Sequence, residues 1–168
     1  MTARSRIRHV LAEDEMFDEL GALRAKLATE IPVTLHLGLE VVGHDAGGLT
    51  LSAPLSKNVN HQGTAFAGSV NAVATLAGWA WIWLALRRSG HEGHVVLQDS
   101  TIKYLRPIAT DFTATCLPAK DAEVERLLAG MTRHRRGRVA LGVEIRSEGT
   151  LVASFRGRYV ALAASSPD

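Results

Sequence analysis

Residues 65–86, AFAGSVNAVATLAGWAWIWLAL, run without a single charge, and Arg87 and Arg88 close the stretch. A segment this long and this apolar is either a bilayer span or a helix buried on every side. Ser69, Asn71 and Thr75 interrupt it, and the mean hydropathy of the whole chain is only +0.06. It also lies between two strand-rich halves, which a membrane would separate. The reading is therefore a central core helix. Such a helix needs cover all round, and that demand constrains the rest of the fold.

The flanking sequence supplies the cover. With 168 residues the chain is long enough for one domain with a real core. Residues 13–29 carry Met16, Phe17, Leu20, Leu23 and Leu27 at helical spacing, and Pro32 ends the pattern. Residues 37–45 and 48–55 read as a hairpin turned at Ala46-Gly47-Gly48. Gly90 suits the residue just past the end of the long helix. Two strands follow over 94–107 and 110–117, then a short helix over 121–132. Residues 138–148 and 150–162 read as antiparallel strands joined at Glu148-Gly149.

This order predicts an α+β fold: a curved antiparallel sheet of about five to six strands wrapped around one long helix. A single wrapping layer leaves part of the helix bare. Trp79, Trp81 and Trp83 point in different directions around its axis, so some of that surface is expected to meet a second subunit. The expected organisation is an N-terminal helical extension over 1–30, a domain over 31–163 and a short tail over 164–168.

Charge narrows the function classes. The net charge is +2 with a pI near 9.0, which does not argue for nucleic acid. Local basic runs stand at RSRIRH near the start and at RHRRGR over 133–138. The second is either a solvated turn or a grip for the phosphates of a ligand or an acidic partner. The single cysteine, Cys116, excludes an internal disulfide and reads as a small core residue in a strand. The charged N-terminus lacks a signal-peptide core, so a cytoplasmic, non-membrane protein is expected. His91 and His94 in HEGH lack a third ligand at fixed spacing, and no metal site is expected.

The loop before the long helix carries the chemistry. NVNHQGTAFAGSVN (58–71) sets Asn60, His61 and Gln62 against bare backbone at Gly63 and Gly68. The pattern N-x-x-G-T-x-F-x-G over 60–68, a long apolar helix, and a later strand DSTIKYLRP (99–107) together resemble the hotdog-fold acyl-thioesterases. Within them the chain is most similar to the thioesterase family named after the YiiD C-terminal domain, over roughly residues 30–162. The resemblance implies a hotdog fold, a homodimer joined edge to edge and often doubled to a tetramer, and acyl-CoA or acyl-carrier-protein thioesters bound at the subunit interface. CoA or phosphopantetheine would enter only as part of the substrate, with no separate cofactor. By position, Asn60 matches a family Asn, and Ala67 matches a residue whose amide faces the thioester carbonyl. Phe66 stands where relatives of the phenylacetate-pathway type keep His, and Thr75 where they keep a carboxylate.

The residues themselves give the same outline. The first free N–H groups of the helix, at Ala67, Gly68 and Ser69, could polarise a carbonyl, unless Thr64 or Ser69 caps them. Asn71 and Thr75 fall on one stripe with Gly68 and Trp79. They either face a cleft or, for Thr75, bond back to the helix. Asp99 shares a strand face with Thr101 and Lys103 and is either the general base or a partner of Lys103 or an Arg. His61 is a second candidate base. The expected catalytic set is Asn60, Asp99 and Thr75, with Ala67, Gly68, Ser69, His61 and Asn71 binding substrate. The competing expectation is a non-catalytic acyl-CoA or acyl-carrier-protein binder, because the helix has no carboxylate. A hotdog dehydratase fits less well, since His and Asp or Glu are missing from the matching positions.

Overall fold

The computed structural model describes residues 19–164. Met16 and Phe17 of the first expected helix lie outside the described residues. Helix α1 covers 19–30 and is followed by a short helix, α2 (Val33–Leu37), that the sequence pattern did not reveal. Pro32 opens α2 as well as closing α1, and Gly38 ends it with φ +62°. Strands β1 (Glu40–Asp45) and β2 (Gly48–Ala53) form the expected hairpin. The long helix α3 runs Ala67–Arg88 and is followed by β3 (Gly93–Tyr104), β4 (Phe112–Cys116), α4 (Asp121–His134), β5 (Arg136–Ser147) and β6 (Thr150–Ala163).

The six strands form one antiparallel sheet in the order β1-β2-β4-β5-β6-β3. Helix α3 lies on its inner face, the wrapped-helix arrangement expected of a hotdog fold. Val73, Ala77, Ala80, Ile82 and Leu84 are buried against inward residues of the strands such as Leu51, Phe112, Leu141, Phe155 and Tyr159. Although α3 is long and apolar enough to cross a bilayer, most of it is buried inside the domain. Tyr159 sits directly beneath it, donating to the Thr75 carbonyl at 2.9 Å. A Cβ at Gly78 would lie 2.3 Å from the Tyr159 hydroxyl, so only glycine allows this approach.

Both ends of α3 are set by local chemistry. At the C-terminal end, His91 N–H bonds to Leu86 O and Gly90 N–H to Arg87 O, with Gly90 at φ +67°. This is the paired closure that an αL glycine permits, as its position suggested. The N-terminal end has no comparable closure, and the site develops there. Elsewhere, α1 buries Leu20, Leu23 and Leu27 in the same core and sends Arg24 to the Val41 carbonyl at 2.9 Å. The hydrophobic core thus continues across residue 31 into α1. The basic run over 133–138 spans the junction between α4 and β5, where Arg135 takes φ +54°.

Candidate active site at the start of the central helix

Asn60 builds the loop ahead of α3. Its Oδ1 accepts from the Gln62 and Thr64 N–H groups at 2.8 and 3.3 Å. Its Nδ2 donates to Thr64 Oγ1 at 3.0 Å and to the Ala65 carbonyl at 3.4 Å. These four contacts exhaust the hydrogen-bonding capacity of an Asn side chain. The side chain of Asn60, expected from the sequence to be catalytic, is engaged within its own loop. Gly63 at φ +77° makes the turn, and the Ala65 N–H anchors the loop to the Ile108 carbonyl at 2.8 Å. Buried Asn58 ties the loop base to the Leu37 and Pro54 carbonyls at 2.8 and 2.7 Å.

This loop delivers a helix start with open donors. Phe66 is the N-cap and makes no side-chain cap, because a phenyl ring has no acceptor. The first intrahelical bond is Val70 N–H to Phe66 O at 3.1 Å. Among the described residues, the amides of Ala67, Gly68 and Ser69 donate to nothing, and neither Thr64 nor Ser69 caps them. The helix dipole adds partial positive charge at this point. Phe66 is 55% exposed and folds its ring against Gly68, so that a Cβ there would fall 2.3 Å from the ring. Ala67 and Gly68 are exposed too. The amides therefore face an accessible, small-residue surface.

Beside this start lies the inner face of β3. Cross-strand partners share a face. Ser100, Ile102 and Tyr104 stand opposite Gly157, Phe155 and Ala153, which point inward. Tyr104 reaches α3 and donates from its hydroxyl to the Ala67 carbonyl at 2.8 Å. Partial burial raises its phenol above the usual range, so it acts as a neutral donor. At the other end of the contact, Trp79 Nε1 donates to the Val95 carbonyl at 3.1 Å. Asn71 and Thr75 lie on α3 between these two anchors. Both are half-buried, and their side chains make no hydrogen bond among the described residues. The back-bond to the helix that was open for Thr75 does not form.

Asp99 lies elsewhere. It is opposite Arg158 in the register, on the face away from Tyr159 and α3. Arg158 clamps it through two nitrogens, with Nε at 2.9 and 2.7 Å from the two carboxylate oxygens. The pair is open to solvent, with side chains 63% and 47% exposed for Arg158 and Asp99. The hydrogen bond from Arg158 holds the carboxyl below its ordinary range, which weakens it as a base. Within one chain the structure does not bring Asp99 to the helix start. His61 is exposed in the loop. Cys116 is buried and its thiol is pushed up to about 12, so it is no nucleophile at neutral pH.

Sequence reasoning missed Tyr104 as a site residue. Nothing local could show that its hydroxyl meets Ala67, which is 37 residues away.

Comparison with known proteins places this geometry. Residues 20–163 match the family described as "Putative thioesterase (yiiD_Cterm)". The chain is similar to the solved structure of a "putative thioesterase from Shewanella oneidensis", at 32% identity and a TM-score of 0.79, covering 88% of this chain and 99% of that one. A protein of unknown function from Chlorobaculum tepidum TLS is 25% identical, with a TM-score of 0.81 and coverage of 86% and 94%. The E. coli PaaI protein from the phenylacetic acid degradation operon shares the fold at 16% identity, with a TM-score of 0.61 and coverage of 89% and 98%. With nearly its whole length matched and its open helix start beside a six-stranded wrap, the chain belongs to the YiiD C-terminal family of hotdog-fold thioesterase-like proteins.

Proposed function

We propose that the protein hydrolyses acyl thioesters, of CoA or of an acyl-carrier protein, at the start of α3. The observation that carries this reading is the set of unpartnered amides at Ala67, Gly68 and Ser69, beside the free polar side chains of Asn71 and Thr75. A thioester carbonyl seated on the Ala67 and Gly68 amides gains negative charge as water attacks, and the fixed donors and helix dipole stabilise that charge. Asn71 and Thr75 hold the attacking water. Neither is a base at neutral pH, so the proton passes to solvent. The thiolate leaves as the carbonyl re-forms. Asn60 keeps the loop in register, and Tyr104 holds the helix start against β3.

A second chain completes the site in this proposal. Strand β3 is a sheet edge of 12 residues, and its free N–H and C=O groups are a template for pairing with another copy. Phe66, Tyr104 and Leu105 are exposed apolar groups around the helix start, which edge-to-edge pairing would cover. The reading is of a soluble homodimer, or a dimer of dimers.

One observation favours the alternative, an acyl-thioester binder without catalysis: α3 carries no Asp or Glu, and Asp99 is engaged on the other face. Ala67→Pro separates the two. Proline is accommodated at the first helical position, and Phe66 already has the extended ψ of 129° that a following proline requires. The change deletes one donor while leaving the fold intact. In an acyl-CoA panel with thiol release monitored, kcat should fall about 100- to 1000-fold, the usual cost of one oxyanion donor. An unchanged rate would sink the helix-start mechanism, and saturable binding without thiol release would establish the binder.

A further inference from the structure

Helix α3 meets the sheet through a mainly apolar contact, and apolar packing has no preferred direction. Three hydrogen bonds join the helix to the strands among the described residues. Tyr104 and Trp79 make two of them where α3 borders the edge strand, and both side chains are partly exposed. The third is different. Tyr159 is only 1% exposed and donates to the Thr75 carbonyl from beneath the middle of the helix, at 2.9 Å. Burial raises its phenol far above the usual range, so the hydroxyl remains a donor.

Two glycines on different elements clear a slot for this ring. A Cβ at Gly78 of α3 would lie 2.3 Å from the Tyr159 hydroxyl, and one at Gly157 of β6 would lie 2.9 Å from the ring. Neither glycine has a positive φ, so space alone requires them. Glycine weakens a helix interior relative to alanine, and Gly78 is therefore kept against local preference. Above the slot, the Thr75 side chain makes no hydrogen bond among the described residues, and threonine in a helix divides between two χ1 rotamers. The direction of its hydroxyl depends on how α3 is seated.

We infer that Tyr159 is a positioning residue: its bond to the Thr75 carbonyl fixes the rotation and depth of α3 and so holds the Thr75 hydroxyl toward the attacking water. The role in hydrolysis rests on the helix-start reading above, whereas the seating of Thr75 does not. The helical pattern pairs the Thr75 carbonyl with the Trp79 N–H as well, so Tyr159→Phe leaves no orphaned acceptor.

The test is a cycle of Tyr159→Phe, Thr75→Val and the double variant on one acyl-CoA, with thermal melts to show that each is folded. Each single change should lower kcat about tenfold, less than the roughly 100-fold cost of a 1 Å misplacement, with KM within about twofold of wild type. The double variant should be no slower than Thr75→Val, because Tyr159 acts through Thr75. A merely structural tyrosine would give independent losses. Losses multiplying to about 100-fold, or a full rate in either single variant, overturn the inference. Methyl NMR of Thr75 supplies a readout that needs no turnover. One χ1 rotamer in the wild type should become an average in Tyr159→Phe, and the same single rotamer in both proteins overturns the seating. A wild type that releases no thiol counts against the helix-start reading and leaves this second test in force.

Discussion

The two sides of the edge strand β3 carry different chemistry. On the inner side, Ser100, Ile102 and Tyr104 face the start of α3, and the polar groups gathered there are neutral: amides, Asn71, Thr75 and a phenol. On the outer side, Asp99 opposes Arg158 and Thr101 opposes Arg156, and the charges pair with each other or project into solvent. A helix covers the first side and water the second. Burial excludes isolated charge from the inner side, because desolvating a carboxylate there would cost far more than desolvating an amide. The lesson is that the covered side offers dipoles and neutral donors, while the open side carries charges that pair across the strands.

That contrast can be broken at several points. Phe155→Ala removes an inward aromatic opposite Ile102 and should cost about 3–5 kcal/mol in urea denaturation, the usual range for a buried Phe. Its outward neighbour Arg156→Ala should leave the midpoint where it is. Similar losses for the two variants would mean that the faces are misassigned. Tyr104→Phe removes the bond to the Ala67 carbonyl, worth about 1 kcal/mol. Its signature should be a several-fold fall in kcat beside a melting temperature only about 2–4 °C lower. If only stability moves, Tyr104 is a strut with no bearing on the site.

Asp99→Asn gives a smaller effect. Its rate should stay within about twofold of wild type, whereas loss of a general base costs about 100-fold or more. A loss of that size would restore Asp99 as the base and require the outer face to take part. The gentlest test is acid titration. Burial of His44, reinforced by nearby Arg88, lowers its pKa below the ordinary 6.5. The fold therefore favours the neutral ring. That contribution to stability is complete above the unfolded value of 6.5 and is lost as pH falls through the lower folded value. His44→Gln should flatten the slope of stability against pH in that window, and an unaltered slope would exclude His44 as its source.

Much of the fold was legible because it rests on local rules. An uncharged helix needs cover on all sides, which already implied a wrapped sheet. Glu148 and Gly149 take φ of +49° and +74°, the two-residue turn expected between β5 and β6. Gly90 likewise closes α3 where its position suggested. The short α2 escaped because five residues after a proline leave no periodicity to read. The thioesterase resemblance was also visible in the loop motif, since positive φ at Gly63 and close approach at Gly68 demand particular residues at fixed spacing.

The sequence by itself thus determined the central helix, its glycine-closed C-terminal end and the family to which the chain belongs. Only the tertiary structure decided which polar groups are available for chemistry. The sequence marked Asn60 as a polar group of the loop, and the structure shows its four hydrogen bonds closing within that loop. Asp99 and Arg158 lie 59 residues apart, and antiparallel register makes them partners on the face that α3 does not cover. Residue type fixes how many hydrogen bonds a side chain can make. Which of them remain unmade depends on neighbours that only long-range pairing brings into contact.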